Sequence, residues 1–193
     1  MTAWRQQQSR DRFFRQARRD DYRARSAYKL IELNRRFKLF RRGDAVIDLG
    51  AAPGSWSQVA AREGAQVVAV DLAEIEPIAG VTALRGDITD PLMLVEMRVA
   101  LGRPADAVIS DVSPHISGNR LADHARSIEL ADASLTVAAE LARPGSTFAV
   151  KLFRGEDLDA FVGRVKAAYR QAKLVVPEAT RAESREAYVV GLP

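Results

Sequence analysis

Short apolar runs alternate with longer amphipathic stretches from residue 44 onward, and this alternation limits the fold more than any other feature of the 193-residue chain. Strands are expected at 44–49, 66–71, 81–85, 105–111, 146–152, 173–176 and 186–191. Helices are expected at 55–63, 90–101, 121–142 and 156–170, with Pro144-Gly145 as the stop of the longest. Ahead of them, Leu30, Ile31, Leu33, Phe37 and Leu39 trace an amphipathic helix from about 26 to 38. Strands joined through helices pair in parallel and are covered on both faces. The last two strands follow one another with no helix between them, which predicts an antiparallel final strand. The expectation is an α/β fold: a mostly parallel seven-stranded sheet with helices on both faces.

Composition narrows the class of protein. No apolar run approaches the ~18 residues of a membrane span. The first residues are charged and polar, which sets the expectation of a cytoplasmic protein with no membrane partner. With no cysteine, disulfides, thiolate metal sites and cysteine nucleophiles are excluded. The two histidines, His115 and His124, form no ligand pattern, so no metal is expected. Residues 1–42 carry 14 Lys/Arg against 4 Asp/Glu, whereas the remainder carries 15 against 21. Trp4, Phe13, Phe14 and Tyr22 are interleaved with that charge, the footprint of a polyanion-binding segment. The expected organisation is a basic N-terminal arm at 1–25 and a single domain at 26–193. No exposed apolar stripe is evident, and a monomer is expected.

The turn after the first strand, D-L-G-A-A-P-G-S-W (48–56), points to a ligand. Ligands of doubly wound sheets bind beyond the carboxyl ends of the strands, where strand order reverses. Gly50 and Gly54 let the backbone approach such a ligand closely. Asp71 closes the second strand about 20 residues on, the place of a ribose-binding carboxylate. Asp87 follows the third strand, where it could accept from an adenine amino group, and Asp111 ends the fourth. Ala52 and Pro53 break the dinucleotide fingerprint, so a cofactor without phosphate, such as S-adenosylmethionine, fits better. Trp56 either walls this pocket or packs the following helix.

Five ordered blocks carry a resemblance: R-S-A-Y-K-L-I-E-L, D-L-G-A-A-P-G-S-W-S-Q, S-D-V-S-P-H-I-S-G, V-K-L-F-R-G and S-R-E-A-Y-V-V. From about Arg23 to Val190 the chain resembles the FtsJ/RrmJ (RlmE) ribosomal RNA 2′-O-methyltransferases. The resemblance implies a Rossmann-like methyltransferase fold that uses S-adenosylmethionine. The family's catalytic Lys-Asp-Lys-Glu set falls on Lys29, Asp111, Lys151 and Glu186. Its cofactor positions fall on Gly54, Trp56, Asp71, Asp87 and Asp111, beside the Gly50 turn. The implied substrate is a uridine ribose in the large-subunit RNA A-loop, on the assembled subunit. Ser55 and the block D-V-S-P-H depart from the family's usual second glycine and D-M-A-P-N, which bears on details of the pocket and target.

Methyl transfer to a ribose oxygen asks the protein to position the hydroxyl and manage its proton. Lys151 acts either as a neutral base or as an ammonium that orients the oxygen. Arg181 and Arg185 are candidate phosphate contacts, and Tyr22, Tyr28 and Phe37 candidate stacking groups, though Phe37 also fits a core position. Competing readings are a tRNA ribose methyltransferase, a nucleotide-binding oxidoreductase and a non-catalytic RNA-binding assembly factor. Base N-methylation is disfavoured, because D-V-S-P stands where an Asn/Asp-Pro-Pro-aromatic motif would be needed.

Overall fold

The computed structural model describes residues 12–181 and 183–193; Trp4 and the rest of 1–11 lie outside them. The elements are α1 (Arg12–Arg19), α2 (Ala27–Phe37), β1 (Ala45–Leu49), α3 (Ser55–Arg62), β2 (Gln66–Asp71), β3 (Val81–Arg85) and α4 (Pro91–Leu101). They continue as β4 (Ala105–Ser110), α5 (Arg120–Leu141), β5 (Ala142–Phe153), α6 (Leu158–Ala168), β6 (Gln171–Val175) and β7 (Glu186–Leu192). Among the described residues they build one sheet of order β3-β2-β1-β4-β5-β7-β6. The strands from β1 to β5 pair in parallel, and β7 runs antiparallel to both β5 and β6. Both the parallel sheet and the antiparallel final strand match the sequence expectation. No helix among the described residues is long and apolar enough to cross a membrane.

Alternation along β5 and β7 divides the core into two layers. On one face Phe148, Val150, Leu152 and Val189 pack with α4, α5 and α6 through Met97, Ala131 and Phe161. On the other, Ala149, Tyr188 and Val190 pack with α2 and α3 through Leu30, Leu33, Trp56 and Val59. Side chains from the two helices on that second face reach the carboxyl edge of the sheet.

One boundary differs from the sequence reading. α5 ends at Leu141 and β5 begins at once, so Pro144-Gly145 falls inside the strand span rather than before it. The β4–β5 register jumps there, from Ala105 opposite Ala142 to Ala107 opposite Thr147. An irregularity of this kind tolerates a proline, which lacks the N–H of a regular ladder.

The strand order reverses between β1 and β4, and the backbone there leaves no room for a side chain. Gly50 has φ +68°, and a Cβ on it would stand 2.4 Å from the Val112 Cα. Gly43 has φ +85° with nothing within 4 Å. Gly50→Ala is expected to cost about 2–4 kcal/mol, and Gly43→Ala only the ~1–2 kcal/mol of the left-handed backbone. Urea unfolding of both variants checks this; equal losses would mean that the Gly50–Val112 contact yields freely.

Candidate active site

A cavity of about 270 Å³ opens at the reversal point, lined by Gly50, Ala52, Asp71, Gly86, Asp87, Ile88 and Asp111 among others. The Asp71 carboxylate accepts from the Ala52 N–H at 3.0 Å and from the Ala73 N–H at 2.8 Å, tying the glycine turn to the end of β2. Asp87 Oδ1 accepts from the Thr89 N–H and hydroxyl at 2.9 and 2.8 Å. Those bonds hold its carboxyl below the usual range. Ile88 and Leu130 supply apolar wall.

Two of the predicted cofactor residues stand away from the lining of this cavity. Gly54 opens α3 at φ +106°, and a Cβ there would meet Ile78, Arg23 and Ile75. Trp56 is only 1% exposed. Its indole N–H donates to the Ser26 carbonyl at 2.9 Å, and its ring stacks on Tyr188 with centroids 5.7 Å apart. Of the two roles open to Trp56, its side chain takes the packing one.

The four predicted catalytic residues converge beside the cavity. Lys151 donates to the Asp111 carbonyl at 2.6 Å and lies 3.2 Å from its Oδ1. Lys29, brought in by α2, donates to Glu186 Oε2 at 2.6 Å. Both lysines are buried, at 7% exposure for Lys29 and 6% for Lys151. Burial raises the Asp111 pKa, but the charges of Lys151 and Lys29, helped by hydrogen bonds from Tyr188 and Lys151, outweigh it and hold the carboxyl below its ordinary range.

Tyr188 was not singled out from the sequence. Its hydroxyl donates to Asp111 Oδ1 at 2.6 Å, and Lys29 Nζ sits 5.6 Å from its ring centroid. Burial, then the charges of Asp111 and Glu186, push its pKa well above the usual phenol, so the hydroxyl stays a donor. Its signal was spacing: two residues after Glu186 on a strand means the same face, and Tyr188 pairs directly with Lys151.

Three more residues organise the surroundings. Arg23 donates to the carbonyls of Pro53, Glu76 and Pro77 at 2.9, 2.7 and 2.9 Å, clamping the glycine turn to the β2–β3 loop. Asp123 accepts from the Ser117 N–H and hydroxyl and from the Gly118 N–H, pinning the loop that follows Asp111. His124 bridges the Phe153 carbonyl and the Asp157 N–H at the end of β5. Of the other sequence candidates, His115 is exposed on the loop after β4. Tyr28 donates to Asp20 at 2.7 Å and packs edge-on to Tyr22. Phe37 packs against the α2–α3 core layer.

A mostly parallel sheet with an antiparallel last strand and a ligand cavity at the switch point defines the class of Rossmann-type methyltransferases. The chain belongs to the FtsJ-like methyltransferase family, whose model matches residues 22–193. Ribosomal RNA large subunit methyltransferase E of Archaeoglobus fulgidus is 48% identical over 181 residues, 94% of each chain. The protein of the same name from Gluconobacter oxydans is 42% identical, covering 97% of this chain and 70% of its own length. A crystal structure from Plasmodium falciparum, named as a ribosomal RNA methyltransferase, superposes with a TM-score of 0.77 at 27% identity. It covers 89% of this chain and 97% of its own.

Asp48, at the end of β1, is fully buried, with Ser57 donating to one carboxylate oxygen and the other unpartnered. Burial pushes its pKa up to about 7, against the Ser57 hydrogen bond and with help from the negative charges of Asp111 and Asp71. The folded protein therefore holds a proton that the unfolded chain releases above its ordinary 3.8. Stability falls as pH rises through this window and levels off above about 7. Asp48→Asn, with no proton to lose, should gain on the wild type progressively across that window in denaturant titrations. A gap independent of pH would mean that Asp48 is ionised in the folded protein.

Proposed function

We propose that the protein transfers a methyl group from S-adenosylmethionine to a ribose 2′-hydroxyl in large-subunit ribosomal RNA, at a uridine. The observation that carries this reading is the two ion pairs built on buried lysines, Lys151–Asp111 and Lys29–Glu186, beside the switch-point cavity that Asp111 lines. The names of the relatives support the RNA, and the family supports the reaction class.

The cavity suits a cationic cofactor without phosphate. Three carboxylates, Asp71, Asp87 and Asp111, line it and no lysine or arginine does, so a dinucleotide's phosphates would meet only like charge. The absence of room for a Cβ at Gly50 provides the close backbone approach. Asp71 would hold the ribose hydroxyls, Asp87 the adenine amino group, and Asp111 would balance the positive sulfur. When bound, S-adenosylmethionine supplies an electrophilic methyl group.

The remaining work belongs to the protein. Lys151 has three ammonium protons, and its contacts with Asp111 leave donor capacity for a substrate oxygen. An ammonium held there orients the 2′-hydroxyl and stabilises negative charge as the proton is lost. Asp111 fixes Lys151, and Tyr188 fixes Asp111. Lys29 and Glu186 offer a further donor and acceptor to the acceptor ribose. The basic segment at 1–25, whose Arg23 is held by the domain, adds positive charge that attracts RNA phosphates.

The test is methyl transfer from labelled S-adenosylmethionine to large ribosomal subunits, free large-subunit RNA and tRNA, with the modified nucleotide mapped. Lys151→Met should lower kcat by ~10²–10⁴ while calorimetric binding of the cofactor persists. Glu186→Gln keeps an acceptor for Lys29 and should lose less. Label on tRNA alone would move the substrate, and an active Lys151→Met variant would sink the assigned role of Lys151.

A further inference from the structure

Two grooves leave the catalytic residues in different directions. One, about 400 Å³, is lined by Arg25, Lys29, Arg181 and Glu186 and lies on the side of the N-terminal segment. The other, about 330 Å³, is lined by Ile116, Arg120, Phe153, Arg185 and Glu186. Glu183, Ser184 and Glu186 border both, so this segment forms a ridge between them. The ridge is tied down: the Arg154 N–H donates to the Arg185 carbonyl at 2.9 Å, and the Arg154 guanidinium to the Ser184 carbonyl at 3.3 Å.

We propose that the second groove is a nucleotide subsite, holding the residue next to the methylated one in an unpaired RNA strand that crosses the ridge. This rests on the function proposed above and adds a substrate contact to it. The chemistry of the groove fits a base and a phosphate. The Arg185 guanidinium lies 5.9 Å from the Phe153 ring centroid and is held at its edge by the Arg120 carbonyl at 3.3 Å. A guanidinium fixed in this way is a stacking platform for a base. Ile116 is 65% exposed on the facing loop, an apolar surface with no protein covering it among the described residues. Arg120 is exposed at the start of α5 and supplies charge for a phosphate.

Three acids also border the groove: Asp123 is held by three donors from Ser117 and Gly118, Glu186 is paired with Lys29, and Glu183 is exposed on the ridge. The strand therefore crosses with its phosphate at Arg120 and away from Glu183. The strand must also be unpaired at its target. Lys29 and Lys151 are too deeply buried to meet a ribose held in a regular helix, so the target nucleotide has to turn out of its stack to reach them.

The test is fluorescence anisotropy of labelled oligouridylate over a salt series, with wild type, Arg120→Ala, Arg185→Lys and Ile116→Ala. Cofactor affinity, measured by calorimetry, should stay the same in all four. Arg120→Ala should flatten the slope of log K against log salt by about 0.7, one phosphate contact on a single strand. Arg185→Lys keeps the charge but loses the plane; binding should weaken roughly five- to tenfold with the slope unchanged. Ile116→Ala should weaken binding likewise, and annealing the complementary strand should abolish the difference between proteins. Wild-type affinity and slope in all three variants would overturn the subsite, as would failure of the wild type to bind oligouridylate. Label transfer by the wild type to large subunits, run beside these titrations, separates the two claims. With transfer intact and the variants unaffected, only the subsite falls; with no transfer to any RNA, the function falls and the subsite with it.

Discussion

The carboxylate of Asp111 is largely shielded from water just past the end of β4, and much of the architecture around it compensates that charge. Burying an ion without a partner costs several kcal/mol. Lys151 meets the charge from β5 and Tyr188 donates to the same oxygen from β7. Lys151 is buried as well, so the pair is made where little water can replace either partner. Tyr188 carries the constraint into the core, because it stacks on Trp56, and Trp56 is anchored to the Ser26 carbonyl just before α2. α2 then delivers Lys29 to Glu186. A mutation in the apolar layer beneath α2 would therefore be felt at the ion pairs, and the reverse holds too.

Strand direction explains why Glu186 can join this group at all. Parallel strands present their carboxyl ends at one edge of the sheet, which is how Asp71, Asp87 and Asp111 come to border one cavity. An antiparallel strand presents its amino end at that same edge. β7 runs antiparallel beside β5, with Glu186 opposite Phe153 and Tyr188 opposite Lys151. The first residue of β7 thus meets the last residue of β5, and Tyr188 two positions on reaches Asp111 just past β4. Had β7 been parallel, Glu186 would lie at the far edge of the sheet.

This logic also marks what could be read from residue order and what could not. The alternation of apolar runs was enough for the parallel sheet, and the missing helix before 186 was enough for the antiparallel strand, because both are properties of local pattern. The ends of β1, β2 and β4 located Gly50, Asp71 and Asp111 for the same reason. The convergence of Lys29 on Glu186 spans 157 positions in the chain and has no local signal; it came from the resemblance. The side-chain role of Trp56 was undecidable from spacing, since a residue in the first turn of a helix can face either the cavity or the core. Arg23 looked like one more cation in a basic segment, yet its guanidinium is spent on three carbonyls. Such clamps stay hidden because their acceptors are backbone atoms, which every residue possesses.

The distribution of charge across the catalytic edge follows from the partners it has to separate. The switch-point cavity is bordered by three carboxylates and, among the described residues, no lysine or arginine, whereas the two grooves mix Arg25, Arg181, Arg120 and Arg185 with Asp123, Glu183 and Glu186. The carboxylate-lined cavity disfavours a polyanion and favours a small cation. Beside the cavity, Lys151–Asp111 and Lys29–Glu186 place opposite charges side by side. That arrangement also sets a limit on redesign: a lysine or arginine introduced into the carboxylate-lined cavity would weaken it for the cationic cofactor proposed above.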